Sequence, residues 1–376
     1  MSTDAPATDL RTLRADHVGS LLRPAAVREA RAARARGELT DEQVRAVEDE
    51  AVRDVVRRQE EAGLRVATDG ELRRDYWHLD FVFSLPGVEP GPEVRVPFHT
   101  PEGEVVWWGE PSRRITGPVR LQDTVFGRDI AAVRQAVTTA APKLSIPSVN
   151  HVHSAVTPAD VTGSGYADVA AALADVQAAY REQVRRLAQD GLTYLQVDDV
   201  SLAILDDPAI RGRLEEAGSS VAEVAAQHVD SVNATLAGRP EHLVVGTHLC
   251  RGNFRSSWAA TGGYEAVAEQ LFGRLDVDRY FLEYDDSRSG GFEPLRFLPP
   301  GKTAVLGIVT SKSAALEDKD DLKRRIDEAA RFAPLEQLAI SPQCGFASTA
   351  EGNALTEEEQ WAKLRLVVEV AEEVWG

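Results

Sequence analysis

LVVGTHLC, residues 243–250, sets a short β-branched apolar run directly against a histidine and a cysteine two positions apart. The run is too short for a helix and too uniformly apolar for a strand with one wet face. It reads as a strand buried on both faces, its polar end marking where the chain leaves a sheet. The same form recurs at Arg65–Thr68, Lys143–Pro147, Tyr194–Val197, Tyr280–Tyr284, Thr303–Thr310 and Leu338–Ser341. Longer stretches with helical spacing lie between these runs: Pro24–Ala62, Asp168–Asp190, Val221–Ala237, Tyr264–Phe272, Lys319–Phe332 and Thr356–Trp375. In the second, Val176, Tyr180, Val184 and Leu187 recur at intervals of three and four, and Thr356 with Glu359 has the form of a capping box. Strand and helix in repeated alternation predict an α/β fold with a parallel sheet. Seven or eight such units in one chain fit a closed (β/α)8 TIM barrel better than an open sheet. The first strand is placed at Asp16–Leu21, and residues 1–376 are read as one TIM-barrel catalytic domain.

Residues 75–114 break this rhythm with PGVEPGPEVRVP (86–97) and EVVWWGEP (104–111), rich in proline, glycine and aromatics. They are read as a β-hairpin excursion over the barrel mouth, after the second strand. Tyr76, Trp77, Phe81, Trp107 and Trp108 could close over a flat substrate, or simply pack the excursion down.

The chain has 376 residues, 43% hydrophobic and 27% charged, a composition that supports a full core. A formal charge of −18 disfavours nucleic acid and anionic lipid as partners. No apolar run is long enough to span a membrane, and MSTDAPATDLRTLRADH has no apolar core for a signal peptide, so a cytoplasmic enzyme is expected. The arginines from Arg28 to Arg36 read as the solvated face of a helix. Only two cysteines occur, Cys250 and Cys344, and a disulfide is not expected in a reducing compartment. Composition alone would make them buried structural thiols.

In barrels, chemistry collects where strands end. Here the runs stop at His17-Val-Gly19-Ser20, Asp69-Gly-Glu71, Asp198-Asp199, Thr247-His248-Leu-Cys250, Glu283-Tyr-Asp285-Asp286, Thr310-Ser-Lys312 and Pro342-Gln-Cys344. His248 and Cys250 share one face of a strand end by alternation. A histidine, two cysteines and a carboxylate suffice for a tetrahedral zinc site, and thiolates favour zinc over magnesium. Ligands scattered over separate strand ends suit a catalytic metal better than a zinc finger.

THLCRGNF (247–254), FLEYDDSRSGGFEPL (281–295) and SPQCGFAST (341–349), with HVGSLLRP (17–24) and DGELRRDYW (69–77), resemble the cobalamin-independent methionine synthase family, in particular its short single-barrel members. The resemblance spans about residues 14–375. It implies a Zn2+ ion held by His248, Cys250, Glu283 and Cys344. It also implies homocysteine as substrate, activated as a zinc thiolate and methylated to methionine. The amino-acid part of that substrate would be gripped by Gly19, Ser20, Glu71 and Asp198, with His17 close by and Glu71 and Asp198 as the catalytic carboxylates. An ion pair with Arg73, Arg74 or Arg251 is the structural alternative for those two.

The chain departs from the family pattern after its seventh strand. LGIVTSKSA (306–314) has Val309 and Thr310 where the family carries a proton-donating histidine, so the methyl donor is left open between methyl-folate and another small molecule. Lys312, Asp286 or a water are candidates to replace it, and His17, His151 and His153 are others near strand ends. Two other readings remain. One is a zinc-dependent thiol alkyltransferase similar to the epoxyalkane:coenzyme M transferases, whose sulfonate would want a cationic pocket. The other is a non-catalytic zinc- or thiol-binding barrel.

Overall fold

In a computed structural model that describes residues 9–376, each of the seven apolar runs is a parallel strand. Strands are numbered in chain order: β1 is Val66–Ala67, β2 Val88–His99, β3 Val105–Ile115, β4 Ala141–Pro147, β5 Tyr194–Asp198, β6 Val244–Leu249, β7 Arg279–Glu283, β8 Thr303–Val309 and β9 Leu338–Pro342. The sheet runs β1-β4-β5-β6-β7-β8-β9 and curls as a TIM-like barrel does, with β2 and β3 paired antiparallel outside it.

The segment placed as the first strand, Asp16–Leu21, is not one. It makes a single parallel bridge, Ala15 with Ile340 of β9, through Asp16 N–H to Ile340 O (3.1 Å) and Ile340 N–H to Arg14 O (2.8 Å). On its other side Leu21 N–H to Gly70 O, the Thr68 hydroxyl to Gly19 O and the His17 ring against Val66 O tie it toward β1, with no backbone ladder between them. Gly19, at φ +134°, turns the chain out of register there, which only glycine does without strain.

The predicted helices form, with one correction. Pro24–Ala62 is two helices, Ala25–Ala35 and Asp41–Glu61, separated at Gly37 (φ +76°) and restarted by a capping box of Thr40 and Gln43. Val176, Tyr180, Val184 and Leu187 all lie on the buried face of Val169–Gln189. Thr356 and Glu359 cap Glu357–Trp375 reciprocally. Among the described residues no helix is long and apolar enough to cross a membrane. Residues 1–8, part of the stretch read as lacking a signal core, lie outside the described residues.

Inside the curl, Val66, Tyr194, Val244, Phe281, Val305 and Ala339 make a layer with one side chain from each of six strands. From β4, Lys143 enters the same layer as a cation. Its Nζ donates to Asp16 Oδ1 (2.9 Å), while the Tyr194 hydroxyl donates to Asp16 Oδ2 (2.8 Å). Arg279 donates to the carbonyls of Leu10, Arg11 and Leu13. This buried charge cluster fastens the N-terminal segment across the bottom of the sheet, and the functional groups collect at the opposite end.

Candidate functional site

Strand ends bring the candidate residues together. β6 delivers His248 near its last position and Cys250 just beyond it; the turn after β9 delivers Cys344. Their donor atoms lie within 4.8 Å of one another, with the two sulfurs 3.9 Å apart. All three residues are buried, and neither ring nitrogen of His248 has a hydrogen-bond partner. A buried imidazole with both nitrogens free is costly unless something occupies it. One nitrogen and two sulfurs are a donor set that suits zinc. Contact with Cys250, and then His248 and Lys312, holds the Cys344 thiol well below its usual range, as a metal ligand requires.

Glu283, expected as the fourth ligand, lies outside this three-donor set. Its Oε2 accepts from Arg251 N–H (2.6 Å) and its Oε1 from Lys312 Nζ (3.3 Å). Burial alone would raise its pKa, but Lys312, Arg251 and Arg288 bring it down to about 2. The sequence gives no sign of this pairing, because Lys312 leaves the neighbouring strand β8 from 29 residues further on.

These donors floor a cavity of about 260 Å³. Ser20, Glu71 and Asp198 share its wall, as expected. Glu71 accepts from the Ser145 hydroxyl (2.7 Å) and lies 3.5 Å from Arg74, so the ion pair considered as the structural alternative does form; Glu71 Oε2 keeps no partner. Asp198 is register partner of His248 on the adjacent strand and accepts from Gln196 Nε2 (2.7 Å). Burial pushes its pKa up to about 7.

His17 is not on the cavity wall. The segment sends its side chain inward, where Nε2 lies 3.3 Å from Val66 O, and burial beside Lys143 lowers its pKa to about 4. Gly19 also stays off the wall, with its carbonyl accepting from Thr68. A Cβ built on Gly345, by contrast, would fall on Ser20 Oγ, so glycine there gives the serine its room.

The opposite wall is aromatic. Trp77, Phe98, Trp108 and Phe254 line it, and Phe98 packs on Phe254 at 5.6 Å between ring centroids. Alternation along β3 sends Trp107 outward, 58% exposed, and Trp108 inward; Phe81 belongs to the core instead. The wall also holds three groups the sequence did not single out: His78, Glu110 and Arg113. His78 Nε2 lies 2.9 Å from Glu110 Oε2, and Arg113 donates to Glu110 Oε1 (2.7 Å). His99 N–H donates to Trp258 O, tying the hairpin tip to the loop after β6.

The model of the cobalamin-independent synthase catalytic domain matches residues 13–373. The chain belongs to that family. Within this family it is 44% identical to the uncharacterized proteins YxjG and YxjH of Bacillus subtilis (strain 168), over 96% of this chain and 94% of each relative. It is 22% identical to the methionine synthase of Sulfolobus acidocaldarius, over 93% of this chain and 91% of that one. Among solved structures, the putative vitamin-B12 independent methionine synthase of Listeria monocytogenes aligns with a TM-score of 0.74 at 32% identity, covering 97% of this chain and 98% of its own. A B12-independent methionine synthase of Shewanella sp. W3-18-1, solved with selenomethionine, shares the fold with a TM-score of 0.70 at 18% identity, over 96% and 98% of the two chains. The cobalamin-independent synthases are methyltransferases, and the cluster here lies at the strand ends, where barrels in general carry their chemistry.

Proposed function

We propose that this chain transfers a methyl group to the sulfur of homocysteine, making methionine, at a zinc ion held by His248, Cys250 and Cys344 with Glu283 beside them as fourth donor. The observation that carries the reading is one cavity with a three-donor N/S cluster on its floor and two buried carboxylates, Glu71 and Asp198, on its wall. Bound there, zinc supplies Lewis acidity that lowers the pKa of a substrate thiol from its ordinary value of about 8.5. The chain's own residues do the rest. Asp198 and the free Oε2 of Glu71 accept from the substrate ammonium, each bond strengthened by charge. Ser20, on the same wall, offers its hydroxyl to the substrate carboxylate. Apolar walls exclude water, so the sulfur is not stabilised by hydration before it reacts.

The same balance of charges weighs against the epoxide-opening alternative. A sulfonate would need an uncommitted cation, and the arginine that lines the cavity, Arg113, is already paired with Glu110. The test measures zinc per chain together with L-homocysteine binding by calorimetry, for the parent and for Cys250→Ser and Cys344→Ser. The parent is expected to hold about one zinc and to bind the thiol, and each variant to fold yet lose both. A variant that keeps zinc and full methionine formation refutes the metal assignment; zinc without homocysteine binding refutes the substrate.

A further inference from the structure

The aromatic half of the cavity contains an acid–base device that homocysteine binding does not use. His78 precedes the short helix Leu79–Val82 and is buried, and its Nδ1 has no hydrogen-bond partner among the described residues. Its other nitrogen sits on Glu110, which is in turn fixed by Arg113, both supplied by β3 of the hairpin. A carboxylate and an imidazole whose second nitrogen has no partner, on a residue that lines the cavity, form an arrangement that can carry and release one proton.

The other titratable groups nearby are committed elsewhere. Lys312 is held by Glu283 and Asp285 and does not reach the cavity wall. His151, whose ring lies 5.5 Å from that of His78, is held well below the usual imidazole range by burial, with His78 and Arg113 adding to it, so it carries no proton to give. Burial raises the Glu110 pKa, but contacts with His78 and Arg113 outweigh it and bring the value to about 2, so Glu110 stays an anion. Burial lowers the His78 pKa, which makes its protonated form a stronger acid than free imidazole.

We infer that His78, oriented by Glu110, is the acid that protonates the leaving nitrogen of an N-methyl donor seated against Trp77 and Trp108. This rests on the homocysteine reading above. The step balances. A C–S bond forms as the methyl C–N bond breaks, the electron pair stays on nitrogen, and that nitrogen takes the proton from His78 Nδ1. His78 is left neutral with Nε2–H donating to Glu110, and the proton lost by the incoming thiol restores the total. In sum, a thiol and an N-methyl amine become a methyl thioether and the demethylated amine, now carrying N–H. An N-methyl amine needs such an acid, since an amide-like anion is a poor leaving group; a halide does not.

That contrast supplies the test. Methionine formation by the zinc-loaded chain is followed with two methyl sources, 5-methyltetrahydropteroyltriglutamate and methyl iodide. The parent is expected to use both. His78→Asn should lose on the order of 100-fold in kcat with the N-methyl donor, while iodide displacement and the KM for homocysteine change less than about threefold. Glu110→Gln, which preserves shape and removes only the anion, should fall at least about tenfold with the same selectivity; it covers the case in which His78→Asn does not fold. Equal losses with both sources, or no loss with either, overturn the inference. So does a parent that methylates from iodide but not from the N-methyl donor, which leaves the homocysteine reading standing. No methionine from either source overturns the homocysteine reading, and the inference with it.

Discussion

Replacing Asp198 with asparagine should make the metal-free protein more stable, and increasingly so as the pH rises. Asp198 is buried, its carboxylate has one recorded hydrogen bond, from Gln196, and burial raises its pKa from 3.8 to about 7. The folded state therefore binds this proton more tightly than the unfolded chain does. Its contribution to stability is fully present below about pH 4 and is lost as pH rises to and through 7, at ~1.4 kcal/mol per pH unit, or ~4 kcal/mol in all. Asparagine has no such loss. Between pH 5.5 and 8 the advantage of Asp198→Asn over the parent should grow by ~2 kcal/mol. With ~2.1 cal/mol/K of unfolding entropy per residue over 376 residues, that is ~2–3 °C in Tm. The assay is scanning calorimetry on chelator-treated protein across that range, because a bound dication next to His248 would itself draw the proton off Asp198. A Tm difference that stays constant with pH, or that shrinks toward pH 8, refutes the reasoning. The same variant should raise the KM for homocysteine by ~10–100-fold, the cost of one hydrogen bond to a charged group. A gain in stability joined to a loss in binding is the mark of a group kept for function.

Two further outcomes follow from the packing. Gly345→Ala should displace the Ser20 side chain, since the new methyl falls on its hydroxyl; steady-state kinetics should give a KM for homocysteine raised ~10-fold or more with zinc content unchanged. Lys143→Met should leave Asp16 in the barrel interior with Arg279, 3.6 Å away, as its remaining counter-charge and cost ~3 kcal/mol, read in a thermal scan as ~4 °C, with methyl transfer at room temperature intact.

The strands were legible because each is buried on both faces, which writes a short continuous apolar run. Asp16–Leu21 failed as a strand for the opposite reason: it carries Asp16, His17 and Ser20, whose side chains have buried polar partners or cavity duties, and Gly19 breaks its pleat. The His/Cys/Cys cluster was legible from His248 and Cys250 at one strand end together with the only other cysteine. The engagement of Glu283 by Lys312 was not, because it arises between adjacent strand ends and has no spacing to betray it. His78, Glu110 and Arg113 were hidden by the excursion itself. Prolines and glycines there break the period-two pattern that would have assigned inward faces, and only closure of the hairpin onto the mouth sets a histidine against a glutamate 32 residues away.

The charges around the cavity then single out one group. Glu71 lies against Arg74, Glu110 against Arg113, and Glu283 against Lys312, Arg251 and Arg288. Among the described residues, Asp198 is the buried carboxylate that lines the cavity with no cation in salt-bridge reach, and burial that is not offset by such a cation raises its pKa. A buried carboxylate without a counter-charge is an unfavourable thing to fold around. It becomes favourable when the ligand brings the missing cation, and an α-ammonium is such a cation. A thiol lacking that group should therefore bind poorly even though its sulfur can reach the metal cluster. The selectivity for an amino-acid thiol would then reside in Asp198, and the reactivity of that thiol in His248, Cys250 and Cys344.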